Sequence, residues 1–322
     1  MDEFSFIDSI KQYTYKQPSL KKGIGDDAAV FRQPSEDIVT AVDTFVEDIH
    51  FTRKTMDPFH VGYRALAANI SDLAAMGASP AFYLVSIVIP KNWPIEEIEQ
   101  IFFGMKDLAG IYKLDLIGGD TVSGKELTVS VTVIGYVDRN KARYRSQAED
   151  GDVVFVTGTL GDSQAGLYIL THPDNYLDER YYTEKHQMPA PRVTFAKGLN
   201  GLPRVALNDI SDGIANETAE IAAASHVDIT LDADALPVSA SFDQFPEKLQ
   251  RYWKLFGGED FELMGTVAKE DWPKVKKVAE QTKTPIAKIG YAQYTGKEVN
   301  QVYLHENNQS QPLQKKGYIH MK

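Results

Sequence analysis

The amino-acid sequence predicts a two-domain α/β (α+β) protein. Three observations carry that prediction. The chain has 322 residues, and at roughly 100–200 residues per domain that length suits two units. Apolar residues make up 43% and charged residues 25%, the balance of a chain that folds around a sizeable core. Strand-like and helix-like stretches alternate through both halves, and a polar, basic break at 138–152 separates them. The expected domains are residues 1–140 and 150–322.

Each element has a local reason. Ala28–Phe31 and Ile38–Val42 read as short strands around a Pro34-Ser35 turn. Asp57-Pro58 reads as a helix start, with Asp57 as cap and Pro58 in the first helical position. Gly77 is the expected stop. Ala81–Pro90 is rich in Val, Ile, Tyr and Phe and reads as a strand. Pro94 opens a second helix, whose early Glu96 and Glu97 suit the positive helix end. Leu114–Ile117 is a short apolar run that ends at Gly118-Gly119, and Leu127–Val137 is a β-branched strand. In the second half Val153–Thr157 reads as a buried strand, followed by a turn and a helix through Leu170. Pro173–Pro191 is polar and proline-punctuated and is expected to be loop. Val205–Leu207 precedes a turn and a helix to about Ser225, and the alternation continues to Ile286–Tyr291.

Composition excludes several classes of function. The net charge of −11 repels phosphate backbones, so a general nucleic-acid binder is not expected. The chain has no cysteine, which removes thiolate zinc sites, iron–sulfur clusters and cysteine nucleophiles. No run of ~18 apolar residues marks a membrane span. The acidic start Met1-Asp2-Glu3-Phe4 is unlike a signal peptide. The expected setting is the cytoplasm.

The distinguishing feature is where the aspartates sit. Asp26 and Asp27 follow Gly23-x-Gly25, and Asp43 ends the run Ile38–Val42. Asp120 follows Gly118-Gly119, while Asp209 and Asp212 flank a turn that opens a helix. Surface helix starts and loop tips account for many aspartates. Asp72 and Asp120 fit that explanation badly. Asp72 lies in a largely apolar helix and shares a face with Ala65 and Asn69. Asp120 sits where a sheet commonly meets a ligand. Carboxylates on apolar elements need partners. Lysines and arginines are sparse at these points, so a cation is the alternative. All-oxygen ligands select Mg²⁺ or Ca²⁺. Magnesium held by carboxylates usually serves phosphates, and the Gly-Gly pairs would let backbone approach them.

Two near-matches fail. Gly119-x-x-x-x-Gly124-Lys125 resembles a P-loop, but Glu126 replaces the required Ser or Thr and a strand follows where a helix is needed. Gly161-Asp162-Ser163-Gln164-Ala165 approaches the nucleophile elbow of hydrolases without its last glycine. A capped helix start explains it better. The seven histidines form no zinc-protease motif. Only His50, after the acidic stretch Asp43–Asp48, stands out.

At this point the motifs resemble a family. They are Gly23-Ile24-Gly25-Asp26-Asp27-Ala28-Ala29, Val42-Asp43-Thr44-Phe45-Val46-Glu47-Asp48-Ile49-His50-Phe51, Asn69-Ile70-Ser71-Asp72-Leu73-Ala74-Ala75-Met76-Gly77-Ala78, Ile117-Gly118-Gly119-Asp120-Thr121, Asp209-Ile210-Ser211-Asp212-Gly213 and Gly257-Gly258-Glu259-Asp260-Phe261-Glu262. Met in this order over nearly the whole chain, they resemble the thiamine-monophosphate kinases. The wider superfamily includes aminoimidazole ribonucleotide (AIR) synthetase, selenophosphate synthetase and the carbamoyl-dehydration enzyme of hydrogenase maturation. The resemblance implies the two-domain ATP-binding fold of the AIR synthetase type, with a homodimer formed through the N-terminal sheet. It implies transfer of a phosphoryl group from ATP to thiamine monophosphate, giving thiamine diphosphate and ADP, the last step of thiamine diphosphate biosynthesis. By match, Asp27, Asp43, Asp72, Asp120, Asp209 and Asp212 would hold several Mg²⁺ ions. Tyr112, Gly119, Asp120, Arg145 and Ser211 would contact ATP. His50, Glu259 and Tyr318 would face the thiamine phosphate. Asp27, Asp43, Asp72, Asp120, Arg145 and Asp209 form the implied catalytic set.

Two departures stand against the pattern. Ala41-Val42 precedes Asp43 where many relatives carry Ser or Thr, and Asp48 stands where relatives often have glycine. Two other readings remain. One is another ATP-dependent member of the superfamily with a different acceptor. The other is a nucleotide-binding regulator without turnover. The absent cysteine argues against the selenium and hydrogenase-maturation branches.

Overall fold

The computed structural model describes residues 20–22, 26, 29–32, 35–296 and 300–316. Asp27, the Gly23-x-Gly25 turn and Tyr318 lie outside the described residues. In the first half the strands are β1 (Leu20–Lys22), β2 (Ala29–Arg32), β3 (Glu36–Val46), β4 (Ser79–Pro90), β5 (Asp115–Gly124) and β6 (Thr128–Asp138). They form one sheet in the order β1-β2-β3-β6-β4-β5. Pairing is antiparallel except between β4 and β5. Helices α1 (Pro58–Ala75) and α2 (Ile95–Tyr112) lie between these strands in sequence.

Helix α1 begins and ends as its sequence requires. Asp57 occupies the cap position and Pro58 the first turn, although the Asp57 side chain makes no capping bond. Beyond its C-terminus Gly77 adopts φ +71°. The Gly77 N–H donates to Ala74 O and the Ala78 N–H to Leu73 O, both at 2.9 Å. This paired closure needs a residue that tolerates the left-handed region. Buried residues occur around the whole circumference of α1, from Val61, Leu66 and Ile70 to Leu73 and Ala75. Burying each of the Val, Leu and Ile side chains contributes about 1.5–3 kcal/mol, so α1 is a core helix.

The second half contains β7 (Val153–Thr157), β8 (Ala206–Asp209), β9 (Asp228–Asp232), β10 (Leu263–Val267), β11 (Ile286–Gln293), β12 (Val302–Glu306) and β13 (Gln309–Pro312). Their order is β13-β12-β9-β11-β7-β10-β8. The helices are α3 (Asp162–Thr171), α4 (Glu179–Gln187), α5 (Val193–Gly198), α6 (Ile214–Ser225), α7 (Glu247–Phe256) and α8 (Trp272–Thr282). One apolar core runs from the first sheet through α1 to Phe155, Phe195, Leu207 and Val275 of the second half. A second core covers the other face of the second sheet, and an aromatic cluster joins α3, α4 and α7.

Three sequence expectations need correction. Pro173–Pro191 contains helix α4, whose Tyr182 and His186 are buried. Asp43 is not at a strand end, because β3 continues to Val46. Gly118-Gly119-Asp120 is not a turn after a strand but the middle of β5. This edge strand is exposed along its length, so burial imposes no alternating pattern on it.

Candidate active site

The candidate site lies where α1 meets the edge of the second sheet. One stripe of α1 faces that edge. Ser71, seven residues after Arg64 and so on the same side of the helix, donates from Oγ to Asp209 Oδ2 at 2.7 Å. Asp209 closes β8 and is buried. Burial, and then the charge of Glu217, lift its carboxyl to about 7, against the Ser71 hydrogen bond and the Arg145 charge. Asp43 adds to the lift.

Asp43 comes from β3 and Asp72 from α1, and their side chains share a hydrogen bond. The Asp43 residue opens to solvent on one side. Protein around its other sides still raises its carboxyl above the ordinary range, with the Asp72 hydrogen bond opposing. Asn69 fixes the strand to the helix: its Oδ1 accepts the Asp43 N–H at 3.0 Å, and its Nδ2 donates to Ala65 O at 2.9 Å. The face that groups Ala65, Asn69 and Asp72 on the sequence is therefore the face that meets β3.

Arg145 supplies positive charge from the segment joining the two halves. Its N–H donates to Asp26 Oδ1 at 3.0 Å and its Nε to Asn208 Oδ1 at 3.1 Å. Asn208 in turn donates from Nδ2 to Glu217 Oε2 at 2.6 Å. Glu217 Oε1 accepts the Asp212 N–H at 3.0 Å and the Ser211 hydroxyl at 3.3 Å. The Ser211-Asp212 turn is thus held from behind by a buried carboxylate in the first turn of α6.

The other expected residues are dispersed. His50 Nδ1 accepts the Val46 N–H at 3.1 Å, next to the Phe45 ring. The Tyr112 hydroxyl donates to Pro191 O at 2.8 Å. Glu259 lies beside the Ser211 turn, its N–H donating to Ser211 O at 2.7 Å. Gly119 and Asp120 are not brought to the set. Gly119 pairs through Val85 and Val131 with Asp43, three strand spacings and on the order of 14 Å away. Asp120 is in register with Ser86, Ser130 and Thr44, which places it on the opposite face of the sheet from Asp43. Asp48 adopts φ +64°, in the left-handed region that favours glycine.

Among the described residues no three carboxylates or imidazoles converge at metal-ligand spacing. The donor set nevertheless fits magnesium, which is usually held by one or two carboxylates plus substrate phosphates rather than by an all-protein cage. The hydrogen-bonded Asp43–Asp72 pair and the buried Asp209 offer carboxylate oxygens of the kind that could hold such an ion. Sequence reasoning placed Asn69 on the helix face of Asp72 but missed the supports Ser71, Asn208 and Glu217. Glu217 alone left a signal, as an acidic residue in the first turn of a helix.

Comparison with known proteins gives the family of the fold. Residues 25–137 match the AIR synthase related protein N-terminal domain, and 149–302 the corresponding C-terminal domain. A thiamine-monophosphate kinase of Bacillus subtilis is 45% identical over 329 aligned positions, covering 100% of both chains. That of Haemophilus influenzae is 33% identical, covering 90% of this chain and 89% of its own. The solved structure "AaThiL complexed with AMPPCP and TMP" has a TM-score of 0.84 at 30% identity, covering 99% of this chain and 97% of that one. The Stenotrophomonas maltophilia thiamine-monophosphate kinase structure has a TM-score of 0.77 at 34% identity, covering 93% and 96%.

Proposed function

The chain belongs to the thiamine-monophosphate kinase family, and from that premise we propose that it transfers the γ-phosphoryl group of ATP to thiamine monophosphate, yielding thiamine diphosphate and ADP. The observation that carries the reading is the Asp43–Asp72 pair with Asp209 close by, set between the two sheets. In the reaction an oxygen of the acceptor phosphate forms a bond to the γ-phosphorus, and the bond from that phosphorus to the bridging oxygen breaks toward ADP. The attacking oxygen is already anionic, so no base is required. The obstacle is repulsion between two polyanions. Arg145 brings fixed positive charge near Asp209. The Ser211-Asp212 turn, braced by Glu217, offers a rigid edge to the phosphates. His50 and Glu259 are assigned to the thiamine moiety, with Tyr318 beyond the described residues.

Asp43, Asp72, Asp209 and Asp212 would hold Mg²⁺ together with Asp27. When bound, magnesium neutralises phosphate charge and aligns donor and acceptor. A homodimer through the helix-free face of the first sheet completes the reading. That face carries Val42 and Val122, both exposed, around the polar row of Thr44, Ser130, Ser86 and Asp120. Pairing through it gives Asp120 a route to an active site that its own protomer does not offer. Dependence on ATP suits a cytoplasmic setting.

The test is product analysis by anion-exchange chromatography after incubation with Mg·ATP and thiamine monophosphate, with free thiamine in parallel. Thiamine diphosphate and ADP should form in equal amounts, with the monophosphate only. Excess EDTA should stop the reaction and added Mg²⁺ restore it. ADP without thiamine diphosphate would move the acceptor elsewhere, and ATP binding without ADP would make the chain a regulator.

A further inference from the structure

Helix α1 carries a second polar residue toward the other half, and the phosphate chemistry does not use it. Arg64 is wholly buried. Its Nη2 lies 2.7 Å from Glu259 Oε2, its one carboxylate contact among the described residues. The approach is a charge contact rather than an aligned hydrogen bond, and Nε and Nη1 have no acceptor among the described residues. The guanidinium also lies 5.6 Å from the centre of the Phe261 ring. A buried cation with a single counter-ion is strongly bound to that counter-ion.

Glu259 is constrained from its own side as well. It adopts φ +67° and Phe261 φ +48°, both in the left-handed region. The Glu259 N–H donates to Ser211 O at 2.7 Å, and the Phe261 N–H to Ile210 O at 3.0 Å. Gly258 packs so closely that an added Cβ would fall 2.2 Å from Ser211 O. The backbone of Glu259 is therefore strapped to the Ser211 turn of the second half. Its side chain is held by α1 of the first half and stays partly open to solvent, at 28%. A carboxylate neutralised by a buried arginine is a weak counter-ion for a positively charged ring. It remains a good hydrogen-bond acceptor through its other oxygen.

We infer that Arg64 is a positioning residue for the phosphate acceptor: it locks the Glu259 carboxylate so that one oxygen is presented to the thiamine moiety in a single orientation. The inference rests on the proposed activity and on Glu259 as an acceptor-binding residue. It separates the two substrates, because Arg64 acts on the acceptor side while the aspartates serve the phosphates.

Steady-state kinetics of the full chain, varying thiamine monophosphate and Mg·ATP separately, test it. Arg64→Met should raise the acceptor KM by about tenfold or more and leave the ATP KM within about twofold. Glu259→Gln should do the same, and the double variant should be no worse than the worse single one, since both break one contact. Arg64→Lys keeps the buried charge and should recover part of the loss. If Arg64→Met fails to fold, the Lys variant must show the same split in smaller measure. An unchanged acceptor KM in a folded Arg64 variant overturns the inference alone, as does an equal rise in both KM values. A wild-type chain that makes no thiamine diphosphate overturns the proposed activity and the inference with it.

Discussion

At the scale of single residues, charge partners rather than burial decide how a carboxylate behaves. Asp260 and Glu262 are two positions apart and both buried. Glu262 receives Arg192 through Nε at 2.6 Å and Nη2 at 2.5 Å, with Lys185 at 3.3 Å and the Thr157 hydroxyl at 2.7 Å. Burial would lift its carboxyl, but these partners outweigh that and hold it below the usual range. Among the described residues Asp260 accepts only the Gly161 and Ser163 N–H groups, at 2.7 and 3.0 Å. Burial, and then the neighbouring Asp162, lift it to about 8. The linkage signs are therefore opposite. Glu262 contributes stability above its unfolded value of about 4.3 and loses it as the pH falls through its lower folded value. Asp260 binds its proton more tightly in the folded chain, so its contribution declines as pH rises from about 4 to about 8. Urea unfolding between about pH 5 and pH 8 should show a flatter decline for Asp260→Asn than for wild type. Glu262→Gln should cost about 3–5 kcal/mol near neutrality, by leaving half-buried Arg192 without its full partner in a buried pocket. An Asp260→Asn profile parallel to wild type would refute the first expectation.

At the scale of elements, the site depends on how closely α1 and α2 cross. A Cβ on Gly62 would stand 1.8 Å from Ile101 O, and one on Gly104 1.9 Å from Phe59 O. The two glycines let the helix backbones touch, and the crossing sets the depth of α1 between the sheets. Because α1 carries Arg64, Asn69, Ser71 and Asp72, a shift here moves several contacts together. Gly104→Ala should cost about 1–3 kcal/mol, seen as a lower melting temperature. It should also lower kcat/KM by about tenfold or more, since small displacements of positioned groups are costly. Unchanged kinetics in a destabilised variant would show that the site tolerates movement of α1. This helix was legible in the sequence because Pro58 and Gly77 punctuate a long apolar stretch. Helix α4 was not, because its polar, tyrosine-rich sequence is ordered by burial of Tyr182 and His186 against elements far along the chain.

At the scale of the whole molecule, two helices cover one face of the first sheet and the opposite face is left open. Val131 and Val85 point into the core, while Ser86, Val42 and Val122 face outward. A sheet face left uncovered, with exposed Val42 and Val122 on it, is a place for a partner to pack. Val122→Lys places a charge in it, on the edge strand and away from Asp43. Light scattering should report a dimer for the wild type and a monomer for this variant, with melting changed little and turnover lowered about tenfold or more. A monomeric wild type, or a fully active monomeric variant, would remove the dimer from the mechanism.

The sequence by itself determined the inventory: the aspartates, the helix of Asp72, the alternation of the elements and the motifs shared with the kinase family. These are local properties, written in neighbouring residues through propensity, punctuation and spacing. Only the tertiary structure decided which groups meet. Ser71 reaches Asp209 across 138 positions and Asp43 reaches Asn69 across 26. Asp120, in a motif as legible as any, falls on the far side of its sheet because side chains alternate along a strand and register sets which face each one takes. No local pattern encodes that parity, since it depends on how three neighbouring strands pair.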